Sequence, residues 1–67
     1  MLNSLFPIKL ERLENGTILV TDVENIVSVL RHLDGTSVSE EEYNQVRPQA
    51  IVQGYWWLAN RYQFEEV

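Results

Sequence analysis

The chain opens with alternating apolar and polar positions. Positions 6, 8 and 10 are apolar and positions 9 and 11 are charged, which is the period of a strand with one buried face. The pair Asn15-Gly16 accepts the positive φ angles of a type I′ turn, and the β-branched run TILV at 17–20 predicts a returning strand. These signals predict an antiparallel β-hairpin over residues 5–20, with a helix covering one face.

A helical period follows the hairpin. The stretch TDVE at 21–24 fits a capping box, with Thr21 as N-cap and Glu24 reaching back to it. Gly35 suits the left-handed conformation that ends a helix. The apolar residues between these signals recur on one helical stripe: Val23, Ile26, Val27, Leu30 and Leu33. The pattern therefore predicts a first helix over 22–33.

A second capping box, SEEE at 39–42, predicts a second helix. Ser39 is the N-cap, and the three glutamates of the first turn complement the helix dipole. This helix is predicted over 40–46, because Pro48 disfavours helical geometry in the residue before it. Proline is acceptable at the first position of a helix, so the segment 48–62 predicts a third one.

Most of the aromatic residues fall in this third predicted helix. Its apolar face on a helical wheel comprises Ile51, Val52, Tyr55, Trp56, Leu58, Ala59 and Tyr62. Trp57 falls on the opposite side. Two interpretations of it stay open: an exposed contact residue, or an addition to the core against the N-terminal residues Leu2, Leu5 and Phe6. For the tail, a strand beginning near Tyr62 and joining the hairpin is the main alternative.

Together these elements predict an α+β fold in a single domain, residues 1–67: a two-stranded hairpin packed by three short helices, with a winged-helix arrangement possible. The run GTILVTDVENIVSVLRHLDGTSVSEEEYNQV, residues 16–46, resembles the strand, helix, turn and helix of peptide-carrying winged-helix domains that guide precursor peptides. The resemblance covers under half of the chain and transfers no site residue. It implies a shape that binds a peptide by adding a strand at the hairpin edge.

Charge and composition narrow the classes of partner. Ten Asp and Glu against five Lys and Arg give a net charge of −5, which disfavours nucleic acid and anionic lipid. No apolar run approaches the ~20 residues that span a bilayer, and the first residues lack the basic start of a secretory signal. We therefore expect a cytoplasmic protein without a membrane partner. A small domain without cysteine often gains stability by self-association.

No catalytic or metal-binding constellation follows from the sequence. Ser28, His32 and Asp34 lie close along the chain, but on a predicted solvated helix face without an oxyanion site or a pocket. The predicted helix ends between His32 and Asp34, and neighbouring glutamates on one turn point apart, so no metal site is expected. The isolated glycines form no phosphate-binding loop. The sequence predicts a non-enzymatic protein without cofactors.

Protein binding is the predicted function, by docking on a partner or by forming a homodimer. The predicted contact face comprises Trp57, Arg61 and Gln53, with Leu2, Leu5 and Phe6 beside it. The first alternative is an acidic nucleic-acid mimic that inhibits a host nucleic-acid-binding protein, through Asp34, Glu40, Glu41, Glu42, Glu65 and Glu66. A lower alternative is a winged-helix DNA-binding regulator that reads bases with Asn44, Gln45 and Arg47. The size alone suggests a phage or plasmid accessory protein.

Overall fold

The computed structural model describes residues 9–67, which form one antiparallel sheet and two helices. The elements are β1 Lys9–Arg12, β2 Ile18–Thr21, β3 Val27–His32, α1 Glu40–Gln53, α2 Tyr55–Ala59 and β4 Tyr62–Glu66. The sheet order is β1-β2-β3-β4, and both helices lie in the connection between β3 and β4. The predicted α+β class is confirmed. The predicted hairpin with three helices is wrong in its details, as the following paragraphs show.

The core lies on one face of the sheet. Residues paired across an antiparallel sheet share a face, and the five strand residues of this face that are buried are Leu10, Ile18, Val20, Leu30 and Tyr62. The connection between β3 and β4 adds Val38, Ala50 and Leu58 to this cluster. The opposite face carries charged residues around half-buried Leu19, Val27 and Val29. A one-sided core of this kind is typical of a small antiparallel sheet.

The segment predicted as the first helix, 22–33, is a turn followed by β3. Asp22 Oδ1 accepts hydrogen bonds from the amides of Glu24 at 2.8 Å and Ile26 at 2.9 Å. A helix N-cap makes the same kind of bonds, so the capping-box pattern did not distinguish the two structures. β3 pairs with β2 on one side and with β4 on the other. This pairing of a β-branched segment overrides its helical period.

Three turns share one hydrogen-bond pattern: residues 13–17, 22–26 and 32–36. In each, the amide of the first residue donates to the carbonyl of the fifth, at 2.8, 3.1 and 2.9 Å. The fourth residue has a positive φ: 92° at Gly16, 66° at Asn25 and 89° at Gly35. These are type I turns followed by a bulge, so the type I′ turn predicted at Asn15-Gly16 is wrong. Gly35 has the predicted positive φ, although it lies in the turn that follows a strand and does not end a helix.

Helix α1 begins where the sequence predicts and ends later. Ser39 Oγ accepts a hydrogen bond from the Glu42 amide at 3.1 Å, which confirms the second capping box. The predicted end at Arg47 is wrong, because the helix incorporates Pro48 and continues to Gln53. An interior proline removes one backbone hydrogen bond without necessarily ending a helix.

The predicted helix 48–62 is divided among α1, α2 and β4. Gly54, with φ 96° and ψ −177°, separates the two helices. The alternative of a strand beginning at Tyr62 is confirmed, but this strand pairs with β3 and not with the first hairpin.

Neither helix of residues 9–67 has both the length and the apolar character needed to cross a bilayer.

Candidate functional site

The two tryptophans have exchanged the environments expected from the helical wheel. Trp56 is 57% exposed, although the wheel placed it in the core. Trp57 is half-buried and packs against the core. The Arg61 guanidinium lies 4.5 Å from the centre of the Trp57 ring, and its Nη1 donates to the Trp57 carbonyl at 3.2 Å. The wheel failed because α2 starts anew after Gly54 and does not continue the phase of α1.

Three large apolar side chains remain exposed around Gly54: Ile51 at 53%, Val52 at 73% and Trp56 at 57%. We call these three residues the outer apolar set. The core does not use them, because α1 packs on it through Ala50, Tyr43 and Val46. Val52 also lines an open groove of about 300 Å³ with Gln45, Pro48, Gln49 and Gln53. Single exposed apolar residues are ordinary, but three of them lie within six positions of the chain here, which makes this segment a candidate contact surface.

The structure only partly assembles the predicted contact face. Gln53 lines the groove beside Val52, whereas Arg61 covers Trp57. Leu5 and Phe6, with Leu2, lie outside the described residues. A partner-binding role for Trp57 therefore stays a prediction, now for a residue that is half-buried. Sequence reasoning missed the outer apolar set, and Gly54 in the middle of the wheel was the signal that could have revealed it.

An aromatic row connects Trp56 to β4. The rings of Tyr55 and Trp56 meet edge to face, with centroids 5.5 Å apart and an interplanar angle of 90°. Tyr55 meets Phe64 in the same manner, at 4.9 Å and 73°. Burial raises the pKa of the Tyr55 hydroxyl, and the charge of Asp22 adds to this effect. Such contacts give aromatic rings a preferred relative orientation, so the row holds the exposed indole beside the last strand.

A chain of hydrogen bonds joins β3, the turn after it, α1 and β4. His32 Nε2 lies 2.8 Å from Glu42 Oε1, and His32 Nδ1 lies 2.8 Å from Thr36 Oγ1. Tyr62 donates its hydroxyl proton to Glu42 Oε2 at 2.5 Å, and Thr36 Oγ1 donates to Asp34 Oδ1 at 2.6 Å. The His32 and Tyr62 rings are stacked, with centroids 5.9 Å apart. This polar network fixes the first turn of α1 to the sheet.

The polar network shifts the pKa values of its members. The hydrogen bond from Tyr62, followed by that with His32, lowers the pKa of Glu42. The side-chain and backbone hydrogen bonds from Thr36 lower the pKa of Asp34. Burial, and then the hydrogen bond to Glu42, raise the pKa of Tyr62. Both carboxyl groups are thus held in the charged form that accepts these hydrogen bonds.

We expect the free energy of unfolding to fall as the pH is lowered from about 5 to about 3. A carboxyl group whose folded pKa is depressed stabilises the fold above its unfolded pKa, and this contribution is lost as the pH falls through the folded pKa. Glu42→Gln should flatten the dependence, because an amide does not titrate. Urea unfolding at stepped pH measures the slope.

The exposed neighbour Glu41 supplies the matched control for this experiment. Glu41→Gln removes the same charge from the same helical turn but leaves the hydrogen bonds of Glu42 in place. Its slope should therefore resemble that of the native chain. Equal slopes in the native chain and in Glu42→Gln would contradict the role assigned to the polar network.

The cleft and the polar network lie apart. A cleft of about 190 Å³ is lined by residues 15–18 and 29–31 with Ser37 and Val38, and no side chain of the polar network lines it. Ser28 lies on β3 and takes no part in the hydrogen bonds of His32 and Asp34. Within residues 9–67, no three His, Cys, Asp or Glu side chains are grouped in a way that could hold a metal ion.

The predicted acidic residues do not form one surface. Glu40 and Glu41 are exposed at the start of α1, and Glu42 belongs to the polar network with Asp34. Glu65 and Glu66 lie at the opposite end of β4 from Tyr62, which pairs with His32. Glu65 forms an ion pair with Arg31. The two groups of carboxylates are therefore separated by the length of a strand.

The helix pair of the predicted winged-helix arrangement is absent from the part of the chain that the structure describes. The segment that was predicted as the first helix of that pair contains β3, which lies inside the sheet. The segment 40–46, proposed for reading bases, is the beginning of α1. The winged-helix prediction is thus wrong, because strand pairing determines the structure of residues 27–32.

Comparison with known proteins leaves the chain without an assigned family. No matching protein-family model, curated protein or solved structure was found.

Proposed function

We propose that the chain is a non-enzymatic protein-binding module that docks on a partner protein through the outer apolar set. The observation that carries this proposal is the exposure of three large apolar side chains within six positions of the chain: Trp56 at 57%, Val52 at 73% and Ile51 at 53%. Tryptophan is enriched among the residues that dominate binding energy. The aromatic row supports Trp56 through Tyr55, so little side-chain freedom remains to be lost on binding.

The surroundings of the outer apolar set suit an interface. A stable protein interface buries about 800 Å² on each partner, with apolar anchors at the centre and a polar rim. Gln45, Gln49 and Gln53 lie beside Val52 and can form part of such a rim. Their amides donate and accept hydrogen bonds without the desolvation cost of a charge. This composition favours docking of a partner protein.

Self-association through the same residues is the second form of this proposal. Sedimentation equilibrium of the purified chain over a wide concentration range separates the two forms. A monomer at all concentrations supports docking on a different protein. A dimer that dissociates in the Trp56→Ala variant supports self-association.

The acidic-mimic alternative has less support, because it needs a dense and continuous row of carboxylates. Glu42 and Glu65 are engaged by Tyr62 and Arg31. Glu40 and Glu41 are exposed at the start of α1 and Glu65 and Glu66 at the far end of β4, so these carboxylates form no continuous row. Exposed glutamates in a first helical turn are sufficiently explained by the helix dipole.

Truncation of the outer apolar set is expected to abolish partner capture without unfolding the domain. Loss of anchor residues weakens binding by about 2 kcal/mol or more, whereas exposed positions alter stability by about 0.5 kcal/mol or less. The measurement is quantitative affinity purification from the native host with the double variant Val52→Ala/Trp56→Ala. Thermal unfolding is followed in parallel.

Leu33→Ala is the matched control, because Leu33 is 64% exposed in the turn after β3. It removes a similar apolar area from a different surface. A partner recovered in constant proportion with the native chain and Leu33→Ala, but lost with the double variant, supports the proposal. Recovery of the same proteins with all three chains would overturn it.

A further inference from the structure

The outer edge of β4 carries main-chain groups that β3 does not use. Within residues 9–67, β4 pairs only with β3 and lies at one end of the sheet order. The Val67 amide donates to the Val27 carbonyl at 3.0 Å, so these two residues form a hydrogen-bonded pair. Bonded and non-bonded pairs alternate along an antiparallel ladder. The main-chain groups of Tyr62, Phe64 and Glu66 therefore point away from β3.

Side chains along this edge also alternate. Phe64 lies on the helix-covered face, where it belongs to the aromatic row with Tyr55 and Trp56. Gln63 and Glu65 lie on the open face. A strand added beside β4 would place every second side chain next to the aromatic row. The side chains between them would lie next to Gln63 and Glu65.

The charge of the edge decides which strand fits. The Glu65 side chain is 65% exposed even while it pairs with Arg31, and Glu66 is exposed as well. A second copy of β4 would bring four glutamates onto one two-stranded ribbon, and charged edge strands of this kind resist pairing with themselves. Lysine or arginine on the added strand would be attracted instead. The net charge of −5 acts in the same direction at longer range.

We infer that the β4 edge binds an extended segment of a partner protein, in which apolar residues alternate with lysine or arginine, by strand addition. This inference rests on the proposed protein-binding function and specifies how the partner is held. The added strand bonds to the main-chain groups of Tyr62, Phe64 and Glu66. Its apolar residues pack on the aromatic row, and its basic residues face Glu65 on the open face, whereas Glu66 lies on the same face as Phe64 and adds negative charge at longer range.

The probe is a short blocked peptide of alternating valine and lysine, added to the full chain at low ionic strength. Tryptophan fluorescence follows binding, and amide hydrogen exchange locates it. We expect slower exchange at the amides of Tyr62, Phe64 and Glu66. The same peptide with every second amide N-methylated should bind at least about tenfold more weakly, because it cannot form all the main-chain hydrogen bonds to β4. A valine–glutamate peptide should not bind.

Variants at position 66 separate main-chain from side-chain effects. Glu66→Pro removes an outward-pointing N–H but no hydrogen bond to β3, and proline is tolerated on an edge strand in this orientation. Glu66→Gln keeps the N–H and removes only the charge. We expect the proline variant to lose most of the peptide binding and the glutamine variant to lose a smaller, salt-dependent part. Amide spectra establish that both variants are folded.

Several results would overturn the inference. One is peptide binding without protection of the three outward amides, and another is equal binding of the N-methylated peptide. Equal binding of the valine–glutamate peptide would refute the basic partner. Concentration-dependent protection of these amides without peptide would assign the edge to a second copy of the chain. None of these results removes the protein-binding proposal, which fails only if the partner is still captured by Val52→Ala/Trp56→Ala.

Discussion

Gly54→Ala is expected to lower the free energy of unfolding by about 1–3 kcal/mol, the cost of holding a residue with a side chain in a glycine-only backbone conformation. Gly54 has φ 96° and ψ −177° between α1 and α2. Inside a regular helix the same change would stabilise the protein by about 1 kcal/mol. The sign of the effect therefore tests whether the helices are separate at this position.

Urea unfolding, with the transition followed by circular dichroism, measures this effect. Gln53→Ala is the matched control, because Gln53 is exposed at the end of α1 and its replacement leaves the backbone unstrained. We expect the control to remain within about 0.5 kcal/mol of the native chain. A Gly54→Ala variant as stable as the native chain, or more stable, would favour a continuous helix.

Leu58→Ala is expected to lower the free energy of unfolding by about 2–5 kcal/mol. Leu58 is 0% exposed and belongs to the same core cluster as Ile18 and Tyr62. Truncating it to alanine loses the transfer free energy of the removed atoms and leaves a cavity among the surrounding core side chains, which adds to the cost. Because a domain of this size has only a few kcal/mol of stability, a large fraction of the variant should be unfolded at room temperature.

Leu33→Ala is the control, because it makes the same substitution at a position that is 64% exposed and so removes the same atoms without leaving a cavity. Thermal and urea unfolding should show a small change for Leu33→Ala and a large one for Leu58→Ala. If the variant is too unstable for a baseline, a stabilising salt such as sulfate restores a measurable transition. Similar stabilities of the two variants would show that Leu58 does not lie in the core.

Local signals predicted those parts of the fold that local contacts determine. The Ser39 cap was predictable because its hydrogen bond to Glu42 spans three residues. The positive φ of Gly35 was predictable as well, because the hydrogen bond from the Gly35 amide to the His32 carbonyl also spans only three residues. The segment 22–33 was not, because its apolar positions fit both a helix and a strand. Pairing with β2 and β4, which are distant in sequence, decided between them.

The candidate site could not be predicted because the helical phase changes at one residue, Gly54. A continuous helix over 48–62 would bury Trp56 and expose Trp57, whereas the break at Gly54 has the opposite effect. The cost of glycine in a helix was apparent from the sequence, but the direction in which the chain restarts depends on core packing. Which tryptophan is available to a partner is therefore a tertiary property of this chain.

The position of both helices between β3 and β4 has a consequence for folding kinetics. The first three strands are joined by short turns, so their pairing requires little loop-closure entropy. β4 instead docks across a long connection, as the 34-position separation of Arg31 and Glu65 shows. Contacts between residues far apart in sequence require more loop-closure entropy before they are rewarded. We therefore expect the last strand to complete the sheet after the first three strands have paired, so that any recognition that uses this strand depends on the final step of folding.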